Sequence, residues 1–153
     1  MKIISHRGNI NKPNPLNENK PEYIEKAISM GFDCEIDLRF ENNRFFLGHD
    51  TSQYEIELSW LNKYSKFLWV HCKDYESFVK LSSSSNDINF FAHQSDDFAL
   101  TSKKFVWTDK VVESADHSNT VLVDIENLHL KVAKNYFGIC TDYPKEVNVC
   151  NSL

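Results

Sequence analysis

Strand-like runs recur at short intervals along the whole chain, and their spacing constrains the fold more than any other feature. The runs are rich in Val, Ile, Phe and Trp, which favour strands. Several are apolar on both faces, as is typical of parallel strands that are covered on both sides. The predicted strands are Lys2–His6, Phe32–Leu38, Arg44–Leu47, Phe67–Cys72, Ile88–His93, Phe105–Thr108, Thr120–Ile125 and Phe137–Thr141. The third of these is one arm of a hairpin, and the other seven have the character of parallel strands.

Helix signals lie between the strands. Pro21 is typical of a first helical turn after an Asn19 cap, and Gly31 is typical of a helix end. Asp74 is a good N-cap for a second helix that runs to Leu81, and a third helix is predicted over 128–136. The alternation of strands and helices predicts an α/β fold in a single domain that spans residues 1–153.

The late connections are short. Eleven residues separate His93 from Phe105, Thr108 from Thr120, and Ile125 from Phe137. A parallel crossover takes about a dozen residues or more, so each connection has room for one or two helical turns only. A full (β/α)₈ barrel typically takes about 250 residues, and 153 residues are few for that fold.

Composition excludes several classes of function. The net charge of −5 argues against general nucleic-acid binding, which needs a basic surface. No apolar run approaches the roughly 20 residues of a membrane helix, and the N-terminal apolar run is too short for a signal peptide. Cys34, Cys72 and Cys140 lie in strand-like runs, and the four cysteines form no C-x-x-C pair. We therefore expect buried, reduced thiols in a cytoplasmic protein without a membrane span.

Polar side chains cluster where the predicted strands end. In α/β sheets and barrels the carboxyl ends of the strands form the ligand-binding face. Residues two apart on a strand point to the same face, so Glu35 and Asp37 point the same way, as do His71 and Lys73. The polar residues at or after strand ends are His6, Arg7, Glu35, Asp37, His49, Asp50, His71, Lys73, His93, Asp124, Glu126, Thr141 and Asp142.

Two carboxylates on one face of an apolar strand are costly to bury unpaired. A hard divalent cation held by Glu35 and Asp37 would remove that cost. The alternative is a structural salt bridge from Arg7, Arg39 or Lys73.

The histidines and cations at the strand ends suit phosphate chemistry. His6 and His49 are natural acid–base groups near neutral pH. Arg7 and Lys73 supply positive charge for a phosphate, unless carboxylates occupy them as partners.

Several motifs carry a family resemblance. His6-Arg7-Gly8, Glu18-Asn19, Ala27, Gly31, Glu35-x-Asp37 and His49-Asp50 follow one another in the first part of the chain, and Gly138-Ile139-Cys140-Thr141-Asp142-Tyr143-Pro144 closes it. In order, spacing and residue type this pattern resembles the glycerophosphodiester phosphodiesterase family. The resemblance covers about 45 residues at the front and seven at the back, whereas the middle matches in strand rhythm alone.

The resemblance implies a phosphodiesterase built on a (β/α)₈ barrel. It implies that His6 and His49 are the general base and acid, and that Glu35 and Asp37 hold a divalent metal. Arg7 would contact the phosphate, with support from Glu18, Asn19 and Asp50. Because the chain is short, we expect a compact or incomplete (β/α) TIM-type barrel with seven to eight parallel strands and several shortened or missing helices.

The third strand departs from the family pattern. The family commonly has Glu-x-Lys there, with the glutamate as a metal ligand, whereas this chain has His71-Cys72-Lys73. His71 either ligates the metal, which extends the choice from Mg²⁺ or Ca²⁺ to Mn²⁺ or Zn²⁺, or acts as a neutral hydrogen-bond donor. The insertion that longer members carry after the His49-Asp50 pair is missing, so we expect an open site. His93 is a further candidate for contact with the substrate.

The resemblance therefore implies a metal-dependent phosphodiester hydrolase acting on a small glycerophosphodiester-like substrate by two-histidine acid–base catalysis. One alternative is a phosphodiester lyase that stops at a cyclic phosphate. Another is a non-catalytic protein that binds phosphoryl ligands. The short late connections leave strand faces uncovered, which is compatible with a homodimer.

Overall fold

The computed structural model describes residues 1–84, 87–113 and 116–151, with side chains as far as residue 148. Ten strands and five helices lie in these ranges. The strands are β1 Lys2–His6, β2 Asp33–Glu41, β3 Arg44–Leu47, β4 Tyr54–Ile56, β5 Leu68–Cys72, β6 Asn89–Phe91, β7 Phe98–Leu100, β8 Val106–Thr108, β9 His117–Val123 and β10 Tyr136–Thr141. The helices are α1 Pro21–Ser29, α2 Leu58–Tyr64, α3 Tyr75–Ser82, α4 Leu130–Ala133 and α5 Pro144–Asn151.

All ten strands belong to one curled, mixed sheet. Parallel pairing runs through β6, β5, β2, β1, β10, β9 and β8 in that order. The antiparallel strands β3 and β4 extend from the far end of β2, and β7 pairs antiparallel with β8. The sheet therefore combines a parallel centre with antiparallel additions.

The predicted TIM-type barrel is wrong. Such a barrel has parallel strands closed into a ring and covered by helices, whereas this sheet is mixed and curls into an open half-barrel. Within the described ranges no strand ladder joins β6 to β7 or β8. The short connections are the physical reason. The eleven residues between His93 and Phe105 hold the three-residue strand β7 in place of a helix, and α4 has only four residues.

Most of the predicted strands and two helices are present close to their expected bounds. Asp74 caps α3 as predicted, because its carboxylate accepts a hydrogen bond from the Ser77 amide. Asn19 does not cap α1, since the N-cap position is Lys20. The sequence reasoning missed four elements, namely β4, α2, β7 and α5. Each is short or lies near the carboxyl terminus, where hydrophobic periodicity carries little signal.

Two apolar layers hold the sheet. The convex face packs against α1, α2 and α3 through residues such as Ile24, Ile36, Leu61 and Leu81. The concave face is filled by Ile4, Trp69, Phe91, Trp107, Val121 and Cys140. Rings from opposite limbs of the sheet meet here, with Phe91 and Trp107 centroids 4.7 Å apart. This packed layer forms the floor beneath the polar residues at the strand ends.

The three cysteines with described side chains are buried free thiols, as predicted. Burial raises the pKa of each, which keeps the thiols protonated and unreactive. The side chain of Cys150 lies outside the described part of the chain. Among the described residues, none of the helices has the length and apolar character needed to cross a bilayer.

Candidate functional site

A polar layer lies directly above the apolar floor, at the carboxyl ends of the parallel strands. Side chains two residues apart share a face of a strand. His6 thus lies two positions after Ile4, on the same face of its strand. His71 has the same relation to Trp69, and Asp142 to Cys140. Each of these strands therefore contributes an apolar side chain to the floor and, two residues later on the same face, an ionisable side chain to the polar layer.

A left-handed turn after β1 shapes one wall of the site. Arg7 and Gly8 have φ values of 53° and 86°. A Cβ at Gly8 would lie 2.9 Å from the Ile24 side chain, so the close approach to α1 favours glycine. The turn brings the amide of Asn9 back to the carbonyl of His6 at 2.9 Å. Asn9, which is fully buried, therefore lies beside the histidine.

His6 pairs with a carboxylate from the other end of the chain. Its Nδ1 lies 2.8 Å from Asp142 Oδ1. Asn9 donates from Nδ2 to the same oxygen at 2.7 Å and to Glu18 Oε1 at 2.9 Å. Burial lowers the pKa of His6, but the Asp142 hydrogen bond and the charge of Glu35 outweigh burial, so the pKa lies above its ordinary value. The ring is fixed at Nδ1, which leaves Nε2 for proton transfer.

The two predicted metal carboxylates are buried side by side. Glu35 is 3% exposed and Asp37 is fully buried. Burial and the neighbouring Asp37 charge raise the pKa of Glu35 to about 7. Asn19 binds Asp37 twice, because its Nδ2 donates to Oδ2 and its Oδ1 accepts from the Asp37 amide, both at 2.9 Å. The supporting role predicted for Asn19 thus has a specific geometry.

One carboxylate oxygen in this pair lacks a hydrogen bond. Asp37 Oδ1 is buried and accepts no hydrogen bond from the residues that the structure describes. An unsatisfied buried carboxylate oxygen is costly unless a cation neutralises it. Two basic atoms lie within ion-pair distance of this oxygen, His71 Nδ1 at 3.5 Å and Lys73 Nζ at 3.8 Å.

His71 completes a three-residue cluster. One donor atom each from Glu35, Asp37 and His71 lies within 4.8 Å of the others. The imidazole stacks on Phe91 with centroids 5.0 Å apart and rings 10° from parallel. Burial and the Lys73 charge lower the pKa of His71 to about 4, so its ring is neutral near pH 7. Two carboxylates and a neutral imidazole are a ligand set that divalent metals accept.

Arg7 and Lys73 both face the carboxylates. Arg7 Nε lies 2.9 Å from Asp37 Oδ2, as an ion pair without hydrogen-bond alignment, and Arg7 Nη1 donates to Glu18 Oε2 at 3.3 Å. The salt-bridge alternative for these cations is therefore realised in the structure. It does not remove their positive charge from the site.

His49 lies outside the buried cluster. Its side chain is 41% exposed and its Nδ1 lies 2.7 Å from Asp50 Oδ1, with the Asp50 side chain 90% exposed. The His49 hydrogen bond lowers the pKa of Asp50 most, and the charges of Arg7 and Arg39 add to this effect. The pair thus borders the site from its exposed rim.

The loop that carries His49 is anchored to β2. The amide of Gly48 donates to the carbonyl of Asp37 at 3.0 Å. Arg39 donates from Nε to the carbonyl of Gly48 at 3.1 Å and from Nη2 to the carbonyl of His49. Gly48 has a φ of 150°, and a Cβ there would lie 2.1 Å from the Thr51 carbonyl oxygen. Sequence reasoning treated Arg39 as a salt-bridge candidate only and missed this anchoring.

His93 contributes to the site through its backbone. Its carbonyl lies 3.2 Å from His71 Nε2, whereas its own Nε2 is bonded to the carbonyl of Asp96 in the same loop. Its ring nitrogen is thus occupied within its own loop, and its contact with the substrate stays a prediction. A groove of about 590 Å³ adjoins this loop, and its lining includes Lys73, Tyr75, Phe78, Ala92, His93 and Gln94.

Two further strand-end carboxylates have other surroundings. Asp124 accepts hydrogen bonds from the amides of Leu128 and His129 and so stabilises its own loop. Glu126 is exposed. Asp142 and Asn9, by contrast, join the site. The sequence analysis placed Asp142 at a strand end without giving it a role, and it missed Asn9. Pairing of Ser5 with Thr141 on the neighbouring strands β1 and β10 is what brings Asp142 beside His6.

Comparisons of the chain with protein-family models, with curated proteins and with solved structures find no match.

Proposed function

We propose that this chain is a metal-dependent phosphodiester hydrolase acting on a glycerophosphodiester-like substrate. The observation that carries the proposal is the cluster of Glu35, Asp37 and His71, with one buried oxygen that accepts no hydrogen bond, between two cations and beside the His6–Asp142 pair. A structural salt bridge accounts for the cations, but Lys73 Nζ, 3.8 Å from Asp37 Oδ1, leaves that buried oxygen without a hydrogen bond. It also gives no reason for a partly buried histidine held by a carboxylate.

A divalent cation bound by these carboxylates would neutralise phosphate charge and orient the phosphorus. Arg7 and Lys73 contact the remaining phosphate oxygens in this proposal. Asn19 holds Asp37 in place, and Glu18 does the same for Arg7.

Proton transfer is assigned to the two histidines. One accepts a proton from water as its oxygen attacks phosphorus, and the other donates a proton to the alcohol oxygen as the phosphorus–oxygen bond breaks. The products are a phosphomonoester and an alcohol. Asp142 keeps His6 Nε2 directed at the reacting groups, whereas His49 approaches from the rim on its anchored loop.

The groove beside Lys73 is the proposed place for the alcohol portion. Tyr75 and Phe78 offer ring surface, and Gln94 and His93 offer polar groups. The missing insertion after Asp50 leaves the site open, in keeping with a small, exposed substrate.

The test is hydrolysis of a panel of glycerophosphodiesters by the full chain, with chelator and metal add-back. We expect chelation to abolish turnover, and His6→Ala and His49→Ala each to lower it by roughly 10²–10⁴-fold. His129→Ala, at an exposed histidine, serves as the matched control and should leave turnover unchanged. Full turnover in either site variant would overturn the assignment of that histidine.

Phosphorus NMR of the product separates hydrolysis from a lyase reaction. An open phosphomonoester supports the proposal, whereas a cyclic phosphate that accumulates without further reaction supports the lyase. Ligand binding without turnover across several metals would indicate a binding protein instead.

A further inference from the structure

We propose that His71 ligates the metal through Nδ1 and that this nitrogen makes the site select Zn²⁺ or Mn²⁺ over Ca²⁺ and Mg²⁺. The inference rests on the metal dependence proposed above and concerns the identity of the ion.

Nε2 of His71 has an acceptor as its partner. It lies 3.2 Å from the carbonyl oxygen of His93, and a carbonyl oxygen can only accept a hydrogen bond. Nε2 therefore carries a proton, and in the neutral ring Nδ1 carries the lone pair. A metal-binding histidine typically donates its other N–H to a carbonyl in this way, which fixes the tautomer.

Nδ1 points at two carboxylate oxygens. It lies 3.5 Å from Asp37 Oδ1 and 3.9 Å from Glu35 Oε1. Since Asp37 Oδ1 accepts no hydrogen bond from any described residue, Nδ1 does not donate to it. Three atoms with lone pairs thus face one another. Lys73 Nζ, 3.8 Å from Asp37 Oδ1, offsets part of their repulsion from one side, and a cation bound between the three atoms would relieve it.

The separations suit a small ion. Ligand atoms about 2.1 Å from a tetrahedral metal lie roughly 3.4 Å from one another. The 3.5 Å between Asp37 Oδ1 and His71 Nδ1 is close to that value. The 3.9 Å from His71 Nδ1 to Glu35 Oε1, in a cluster whose donor atoms lie within 4.8 Å of one another, requires Glu35 to move closer when an ion binds. Stacking on Phe91 keeps the ring in this orientation before any ion binds.

The chemical types of the ligand atoms then determine which ion the site prefers. Ca²⁺ and Mg²⁺ prefer oxygen ligands, and Ca²⁺ takes six to eight of them. Imidazole nitrogen favours Zn²⁺ and similar ions, and a set of one nitrogen with two carboxylates is compatible with Mn²⁺ as well. Three protein ligands with open positions for water or substrate are typical of catalytic zinc sites.

Metal affinities of the metal-free protein test the inference. Titration calorimetry with Zn²⁺, Mn²⁺, Ca²⁺ and Mg²⁺ should rank Zn²⁺ and Mn²⁺ above the other two. In His71→Glu, which supplies a third carboxylate, we expect the affinity ratio of Zn²⁺ to Ca²⁺ to fall by at least about 10-fold. The matched control is His129→Glu, the same exchange at an exposed histidine, which should leave the ratio unchanged.

Pulsed electron paramagnetic resonance of the Mn²⁺ complex gives a direct signature. A coordinated imidazole produces ¹⁴N modulation, which we expect in the natural chain and in His129→Glu but not in His71→Glu. Bound Mn²⁺ without this modulation, or an unchanged Zn²⁺ to Ca²⁺ ratio in His71→Glu, would overturn the role of His71.

The outcomes separate this inference from the proposed function. His71-dependent binding without hydrolysis of any phosphodiester supports the inference and overturns the function. Chelator-sensitive hydrolysis with no nitrogen ligand overturns only the inference. Failure of all four ions to bind overturns both.

Discussion

His6 Nδ1 and Asp142 Oδ1 lie 2.8 Å apart although 136 positions separate them in the chain. Parallel pairing of β1 with β10 creates this contact. Ser5 aligns with Thr141, so the residues that come next in the chain, His6 and Asp142, lie side by side. The carboxylate holds the imidazole by one nitrogen and leaves the other for proton transfer, as a carboxylate partner of a catalytic histidine does. Its consequences can be measured.

Asp142→Asn should lower the pKa of His6. The Asp142 hydrogen bond is the main influence that raises this pKa against the effect of burial. The limb of the pH–rate profile that reports His6 therefore moves to lower pH, and turnover falls by roughly 10²–10⁴-fold. Titration of the His6 ring by NMR checks the pKa, and Asp87→Asn, at an exposed ion pair with Lys103, is the control. An unchanged His6 titration would contradict the role given to Asp142.

Glu35→Gln should stabilise the metal-free protein at alkaline pH. The folded-state pKa of Glu35 is raised from 4.5 to about 7, so the folded state binds a proton that the unfolded state has already lost. The free energy of unfolding therefore falls by roughly 2–3 kcal/mol, through this group alone, as the pH rises from 4.5 to about 7. Urea unfolding at pH 5 and pH 8 in chelator measures the effect, which the Gln variant should lack. The exposed exchange Glu55→Gln should keep the pH dependence of the natural chain. A Gln variant with that same dependence would contradict the prediction.

Asn19→Ala should weaken both the fold and the metal site. The change removes two hydrogen bonds to Asp37 and places alanine at a φ of 62°, where asparagine is tolerated better. Buried groups left unsatisfied cost about 1–3 kcal/mol each, so we expect a loss of roughly 2–4 kcal/mol in unfolding free energy. Metal affinity should fall by about 10–100-fold because Asp37 is no longer oriented. Asn17→Ala, which loses one partly exposed hydrogen bond to Lys20, is the control and should cost far less. Equal losses in the two variants would show that Asn19 has no special role.

Arg39→Met should impair turnover more than stability. Arg39 holds the carbonyls of Gly48 and His49, so its loss releases the loop that carries the exposed histidine. We expect turnover to fall by about 10-fold or more, because small misplacements of a reacting group are costly. Rates of His49 modification by diethyl pyrocarbonate and steady-state kinetics check this. Arg44→Met, which removes the exposed ion pair with Glu55, should change neither readout. A normal turnover in Arg39→Met would mean that the loop needs no anchor.

The local elements and many of the site residues were accessible from the sequence. Runs such as 2–6 and 68–72 carry their own strand signal, and the i, i+2 rule places Glu35 with Asp37 and His71 with Lys73. Polar residues after buried strands indicated which edge of the sheet to examine. Resemblance supplied the chemistry, and hydrolysis, metal dependence and a possible dimer stay predictions.

Only the tertiary structure decided whether the sheet closes into a ring and which site residues touch one another. Whether seven parallel-type strands form a ring depends on what the eleven-residue connections do, and one of them forms the antiparallel strand β7 instead of a helix. The pairing of His6 with Asp142, the hydrogen bonds of Asn19 to Asp37, and the tautomer of His71 all join atoms from distant segments. The sequence by itself determined which residues stand at the strand ends, because local periodicity sets that order. Their distances, burial and partners arise from strand pairing across the whole sheet, which no local pattern encodes.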